Sequence, residues 1–202
     1  MTAINRSPQS MSASAMAAAP AINAAPSGSA TPGTASAGPS LASMAPICGD
    51  FPIRIARDGT WHYQGSPIGR KPLVVLFARV LTRRPDGDFW LVTPYEQGRI
   101  VVDDAPFVAV LCEVTGEGRD QMLRFTTNLD ESVIADADHP IVIRGTIESP
   151  APYVVVRPGL EARLARPVFY QIVDRATEVE VGGRARLGVW SAGRFFPLEP
   201  EA

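Results

Sequence analysis

Few side-chain groupings in this 202-residue chain are of a type and spacing that do chemistry. Asp136, Asp138 and His139 form a DxDH run, and hard cations are held by oxygen ligands of that kind. The EF-hand pattern is absent, with no glycine in its place and no glutamate at the twelfth position. The run reads as solvated loop acids between two strands. Asp103-Asp104, ahead of Pro106, reads as a turn with a charged edge. Nucleophilic catalysis needs a base such as imidazole, and the chain has two histidines, His62 and His139. His62 lies on a strand between Trp61 and Tyr63 and faces away from both, and no GxSxG elbow accompanies it. Acidic residues are numerous, but no spacing singles out an acid/base pair. Cys48 and Cys112 lack CxxC spacing and a nearby histidine, so they read as buried or half-exposed thiols of a reducing compartment. No catalytic residue, metal or cofactor is assigned.

Anion binding is the sharper idea. GSPIGRKP, residues 65–72, does not fit the GxxxxGK[ST] phosphate loop. Yet Arg70 and Lys71 precede a helix start without a Ser, Thr, Asp or Asn cap. Unpaired N–H groups at such a start attract anions, and arginine adds a bidentate fork. Arg166, ahead of a second proline-initiated helix, repeats the arrangement. Trp61, Tyr63 and Ser66 lie close by in sequence and complete a candidate ligand-binding set with Arg70, Lys71 and Arg166. The competing reading is that Arg70 and Lys71 pair with acids of the other half.

The elements that would hold these residues follow from patterning. Ile53 and Ile55 alternate with Arg54 and Ala56 as in a half-buried strand. Asp58-Gly59 predicts a two-residue hairpin connection, and Thr60 to Gln64 return as its partner. Leu73, Leu76, Phe77 and Val80 predict the apolar face of a short helix starting at Pro72. Strands are expected at 89–93, 99–102, 107–114, 121–127, 131–135, 141–144, 153–157 and 160–164. Val168, Phe169, Ile172, Val173 and Ala176 predict a second helical face, Gly182-Gly183 its end, and 187–198 a last hairpin. Lys71-Pro72-Leu73 parallels Arg166-Pro167-Val168, and GDFWL (87–91) parallels LGVWS (187–191), which suggests duplication at a spacing of about a hundred residues.

The run CGDFPIRIARDGTWHYQGSPIGRKPLVVLFARVL, with FWLVTP and IVVDDAPFVAV after it, resembles a bacterial family known only as domain of unknown function 1285. Its DGTW, GSPI, LVTP and DAPF segments correspond to Asp58–Trp61, Gly65–Ile68, Leu91–Pro94 and Asp104–Phe107. The resemblance covers most of residues 48–200. It implies a duplicated β-rich core, a C-terminal half like pleckstrin-homology barrels, and a role in binding and signalling; it implies no catalytic residues.

Residues 1–45 are more than half Ala, Ser and Pro, with Arg6 the only charge. Such a segment buries too little apolar surface to offset its ordering entropy, so a disordered tail is expected. The expected organisation is that tail, a β-rich half over 46–105 and a pleckstrin-homology-like half over 106–202. Together the halves form an α+β, mostly β protein of curled antiparallel sheets or partial barrels, each with one helix. A net charge of −2 disfavours broad binding to nucleic acid or anionic membrane, and no apolar run is long enough to span a bilayer. The expectation is a cytoplasmic, non-catalytic protein that holds a small anionic ligand or a protein partner between its halves, in signalling. Alternatives are nucleic-acid binding through a local arginine groove and a metal-dependent enzyme using carboxylates near Asp103 or Asp136.

Overall fold

Ile53 and Ile55 turn into the core and Arg54 out to solvent along β1 (Ile47–Ile55), as the alternation predicts. This is a computed structural model that describes residues 46–200; the Ala/Ser/Pro-rich tail lies outside the described residues. β1 pairs antiparallel with β2 (Trp61–Tyr63), Ile55 opposite Trp61. The connection is longer than the expected Asp58-Gly59 pair. Gly59 N donates to Ala56 O, Ala56 N to Thr60 O and Thr60 N to Asp58 Oδ1, each at 2.9 Å, so the turn spans Ala56 to Thr60. Gly59 takes φ of +83°, and a Cβ there would lie 2.6 Å from Asn128 Nδ2. Only glycine fits both the left-handed backbone and that close approach.

β3 (Ser66–Pro67), β4 (Leu81–Arg83), β5 (Phe89–Val92) and β6 (Gln97–Val102) complete a six-stranded sheet in the order β3-β2-β1-β6-β5-β4. β1 and β6 run parallel, whereas every other pair in the sheet is antiparallel. These pairings make β3 and β4 run the same way at opposite edges. The chain must therefore return across the sheet between them, and α1 (Lys71–Arg79) makes that return. Val74 and Ala78 are its buried residues and Phe77 packs partly against the core, while Leu73 and Leu76 face solvent. The inward face is thus rotated from the one predicted, because nearly every side chain of KPLVVLFARV is apolar and two stripes fit the same period.

The second half repeats this plan. β7 (Phe107–Thr115), β8 (Met122–Thr127), β9 (Ser132–Ile134), β10 (Ile141–Gly145), β11 (Pro150–Arg157) and β12 (Leu160–Leu164) form a sheet ordered β10-β11-β12-β7-β8-β9. Its first and last strands, β7 and β12, again run parallel at the centre. The structural repeat therefore matches β1 with β7 and β6 with β12, not α1 with the second helix at a spacing of about a hundred residues. The central parallel pairs likewise replace a wholly antiparallel arrangement. Residues 135–140 take the place of α1. Flat, six strands would set their edges about 24 Å apart, which the seven Cα–Cα steps from Ile134 to Ile141 could span only at full stretch. Asp136 N donates to His139 O within this loop, shortening it, so the sheet curls into a half-barrel.

Along β8 Leu123 and Phe125 are buried and Met122 and Arg124 exposed, the predicted alternation. α2 (Arg166–Val173) buries Val168 and Ile172, the predicted face. β13 (Thr177–Val181), β14 (Arg184–Ser191) and β15 (Arg194–Pro197) form a three-stranded antiparallel sheet. Gly182-Gly183 is the turn of its first hairpin rather than the end of a unit. Ser191 Oγ accepts from Leu123 N at 2.9 Å, and Gln121 Nε2 donates to Trp190 O at 2.8 Å, which fastens this sheet to β8. One apolar cluster runs through both halves, with Ile55, Trp61 and Leu91 from the first and Phe107, Phe125 and Ile172 from the second. No helix among the described residues is long and apolar enough to cross a membrane.

Candidate ligand-binding cleft between the two halves

β12 carries the alternation that builds the site. Leu160, Ala162 and Leu164 point into the core, so Glu161 and Arg163 share the opposite face. Tyr153 opposes Arg163 across the β11–β12 pair, and Asp104 lies in the short segment that joins the two halves. The Tyr153 hydroxyl donates to Asp104 Oδ1 at 2.6 Å, and Arg163 donates to Asp104 Oδ2. Arg57, in the Ala56–Thr60 turn of the first half, brings Nε to 3.5 Å from the same carboxylate oxygen. Arg144 on β10 makes a bidentate pair with Glu161, both bonds at 2.5 Å, and its guanidinium lies 4.8 Å from the Tyr153 ring centroid. Three arginines face two carboxylates here, leaving one positive charge in excess.

The Asp104 side chain is 11% exposed. Burial alone would raise its pKa; the Tyr153 hydroxyl, the Arg163 bond and the charges of Arg163 and Arg57 outweigh burial and hold it below the usual carboxylate range. Burial first, and then the bond to Asp104, push the Tyr153 hydroxyl above the usual tyrosine range. At neutral pH the pair is a carboxylate and a neutral phenol.

Beside this network opens a cleft of about 760 Å³. Arg57 and Asp58 line it from the first half. Arg163 from β12 and Arg166, Phe169 and Tyr170 from α2 line it from the second, with Glu148 also on its wall. α2 has Ala165 as its N-cap, with no side-chain cap. Phe169 N donates to Ala165 O and Pro167 has no N–H, so the Arg166 and Val168 N–H groups are the first-turn donors without an intrahelical acceptor.

The candidate residues named from sequence do not converge. Arg166 lines the cleft. Lys71 lies in a separate hollow with Pro72, Leu76 and Asp130. Its Nζ donates to Asp130 Oδ1 at 2.8 Å, the pairing with an acid of the other half that was the competing reading. Arg70 is exposed as the N-cap of α1, and its carbonyl accepts from Leu73 N and Val74 N, which closes that helix start. Trp61 is 2% exposed and stacks on Phe77 with ring centroids 6.3 Å apart, so it is a core residue and presents no face to a ligand. Tyr63 and Ser66 pair across β2 and β3 at the sheet margin and are exposed.

The Asp136 loop is organised by its own turn. Asp136 Oδ1 accepts from Asp138 N and His139 N at 2.9 Å, and His139 Nδ1 lies 3.0 Å from Val155 O. Cys112 is buried and free, its thiol pushed up to about 11 chiefly by burial. Asp104 was read from sequence only as part of a charged turn, and Arg57, Arg144, Tyr153, Glu161 and Arg163 were not singled out as site residues. The available signals were the DAPF segment and the inward-outward alternation of LEARL.

Comparison with known proteins now bears on this architecture. Residues 43–105 match the domain of unknown function (DUF1285), N-terminal domain, and residues 106–198 match the protein of unknown function (DUF1285), C-terminal domain. No curated protein matches the chain. A crystal structure of a DUF1285 family protein from Silicibacter pomeroyi DSS-3 is similar at 49% identity and a TM-score of 0.71, covering 77% of this chain and 84% of that one. Another, from Shewanella baltica OS155, is 25% identical with a TM-score of 0.48, covering 61% of this chain and 91% of that one. The two adjoining matches meet between Ala105 and Pro106, where the first sheet passes to the second, and the chain belongs to the DUF1285 family of proteins of unknown function.

Proposed function

We propose that this protein is a non-catalytic binding protein that holds a small anionic ligand, or an anionic group of a protein partner, in the cleft between its halves. The observation that carries the reading is the arrival of Arg57 from one half, and of Arg163 and Arg166 from the other, on one cleft. Guanidinium groups suit carboxylates and phosphates through paired N–H donors. A ligand touching both the Ala56–Thr60 turn and α2 would tie the halves together. A role in bacterial signalling, in the cytoplasm, with the curled second sheet and α2 serving as a pleckstrin-homology-like platform, extends the reading along the family resemblance.

Thermal melting of the whole chain against phosphorylated and carboxylated metabolites, short oligonucleotides and divalent metals tests it. A ligand present at a hundred times its dissociation constant stabilises by about 2.7 kcal/mol, enough for a clear rise in midpoint. The expected outcome is a rise with one or more anions that is lost in Arg166→Ala. A flat response to every anion would overturn the small-ligand reading and leave the protein partner to be sought by pull-down. A rise confined to metals would move attention to the enzyme alternative, and one confined to oligonucleotides and steeply weakened by salt would favour nucleic acid.

A further inference from the structure

Arg166 and Tyr170 are four residues apart on α2, so their side chains leave one face of the helix about 5–6 Å apart at Cβ. Both line the cleft. Tyr170 is 62% exposed, a large ring left uncovered beside two cationic groups. It is braced from the side by Phe169, partly buried against the core, at 6.4 Å between ring centroids. Opposite stands Arg57, whose side chain is 73% exposed and whose ion pair with Asp104 is 3.5 Å long, so it is held loosely enough to re-aim. Asp58 and Glu148 also line the cleft and offer carboxylate oxygens to hydroxyl or amino donors.

We infer that the cleft takes a nucleoside monophosphate, its phosphate between Arg166 and Arg57 and its base stacked on Tyr170. This rests on the anion-binding reading and adds the ring to it. A bare anion would use the arginines and leave Tyr170 without a purpose at the rim. A long polyanion would meet Asp58 and Glu148. A phosphate carrying a flat ring on a short hydroxylated linker uses each kind of group in the cleft. Stacking on an aromatic side chain tolerates any base, since each has a π-face, so the class is assigned and the base is not.

Isothermal titration of the whole chain with ribose 5-phosphate and, separately, with the four ribonucleoside monophosphates tests the inference. At least one nucleotide is expected to bind about tenfold or more tightly than ribose 5-phosphate, because its base adds stacking on an aromatic ring that the sugar phosphate lacks. Tyr170→Ala should bring that nucleotide down to the level of ribose 5-phosphate and leave ribose 5-phosphate itself unchanged. Tyr170→Phe, which keeps the ring, should retain the preference. Arg166→Ala should weaken sugar phosphate and nucleotide alike. Equal binding of sugar phosphate and nucleotides, insensitive to Tyr170→Ala, would overturn the nucleotide inference while leaving the anion reading standing. No binding of any of these probes overturns the nucleotide inference; the anion reading falls only if the wider melting panel is flat as well.

Discussion

Asp104 gathers a tyrosine hydroxyl and two arginines onto one carboxylate at the join between the halves. Asp104→Asn keeps the shape and removes the charge, leaving Arg163 and Arg57 against a neutral amide. Loss of a charged partner from such a site costs about 1–3 kcal/mol, which urea denaturation at pH 7 should read as a lower midpoint. The pH dependence has a definite sign. The folded pKa of Asp104 lies below its unfolded value, so the carboxylate's contribution is fully present above the unfolded value of about 3.9 and is lost as pH falls through the folded one. The gap between wild type and Asp104→Asn should therefore hold from pH 7 to about pH 5 and shrink below pH 4. A gap that widens in acid would show that burial, not the arginines and Tyr153, governs this carboxyl.

The informative element is α1. Its residues were readable as a helix from the Lys71-Pro72 start, but not its orientation. Leu73, Leu76, Phe77 and Val80 make one stripe, and Val74, Phe77 and Ala78 make another at the same period. The choice is made by tertiary packing, which takes Val74 and Ala78 into the buried cluster shared by both halves and leaves Leu76 56% exposed. Val74→Ala should then cost about 1–3 kcal/mol through lost burial and a small cavity, and Leu76→Ala about 0.5 kcal/mol or less. Paired chemical denaturation curves decide it, and the reverse ranking would mean that α1 packs on the face expected from sequence. Along β8 and β12, by contrast, strict alternation leaves one possible inward face, and the structure uses it.

At the scale of the molecule, the two sheets share more than a linker. Asn128 of the second half bridges Gly59 O at 3.2 Å and Val108 N at 3.0 Å, Arg157 donates to Ala78 O at 3.0 Å, and Lys71 pairs with Asp130. One apolar cluster runs beneath all of them. A domain whose core is continuous unfolds as a unit, so tryptophan fluorescence and far-UV circular dichroism should report coincident thermal midpoints. Two separated transitions would show that each half holds its own core. The same continuity makes the Arg57–Arg163–Arg166 cleft a property of the whole fold, since neither half carries it alone.

The sequence by itself determined local features: most of the longer strands, which face of β8 and β12 is apolar, and that helices begin at Lys71-Pro72 and Arg166-Pro167; the short strands β3 and β4, strand β13 and the length of the first hairpin turn were not legible in it. The legible features follow from residues two to four apart, whose side chains meet through the geometry of a single element. Only the tertiary structure decided the parallel pairings of β1 with β6 and β7 with β12, the inward face of α1, and the partners of Asp104. Tyr153 and Arg163 lie 49 and 59 positions from Asp104 in the chain. No periodicity reaches that far, because such contacts are made when a sheet curls and brings distant strands to one place.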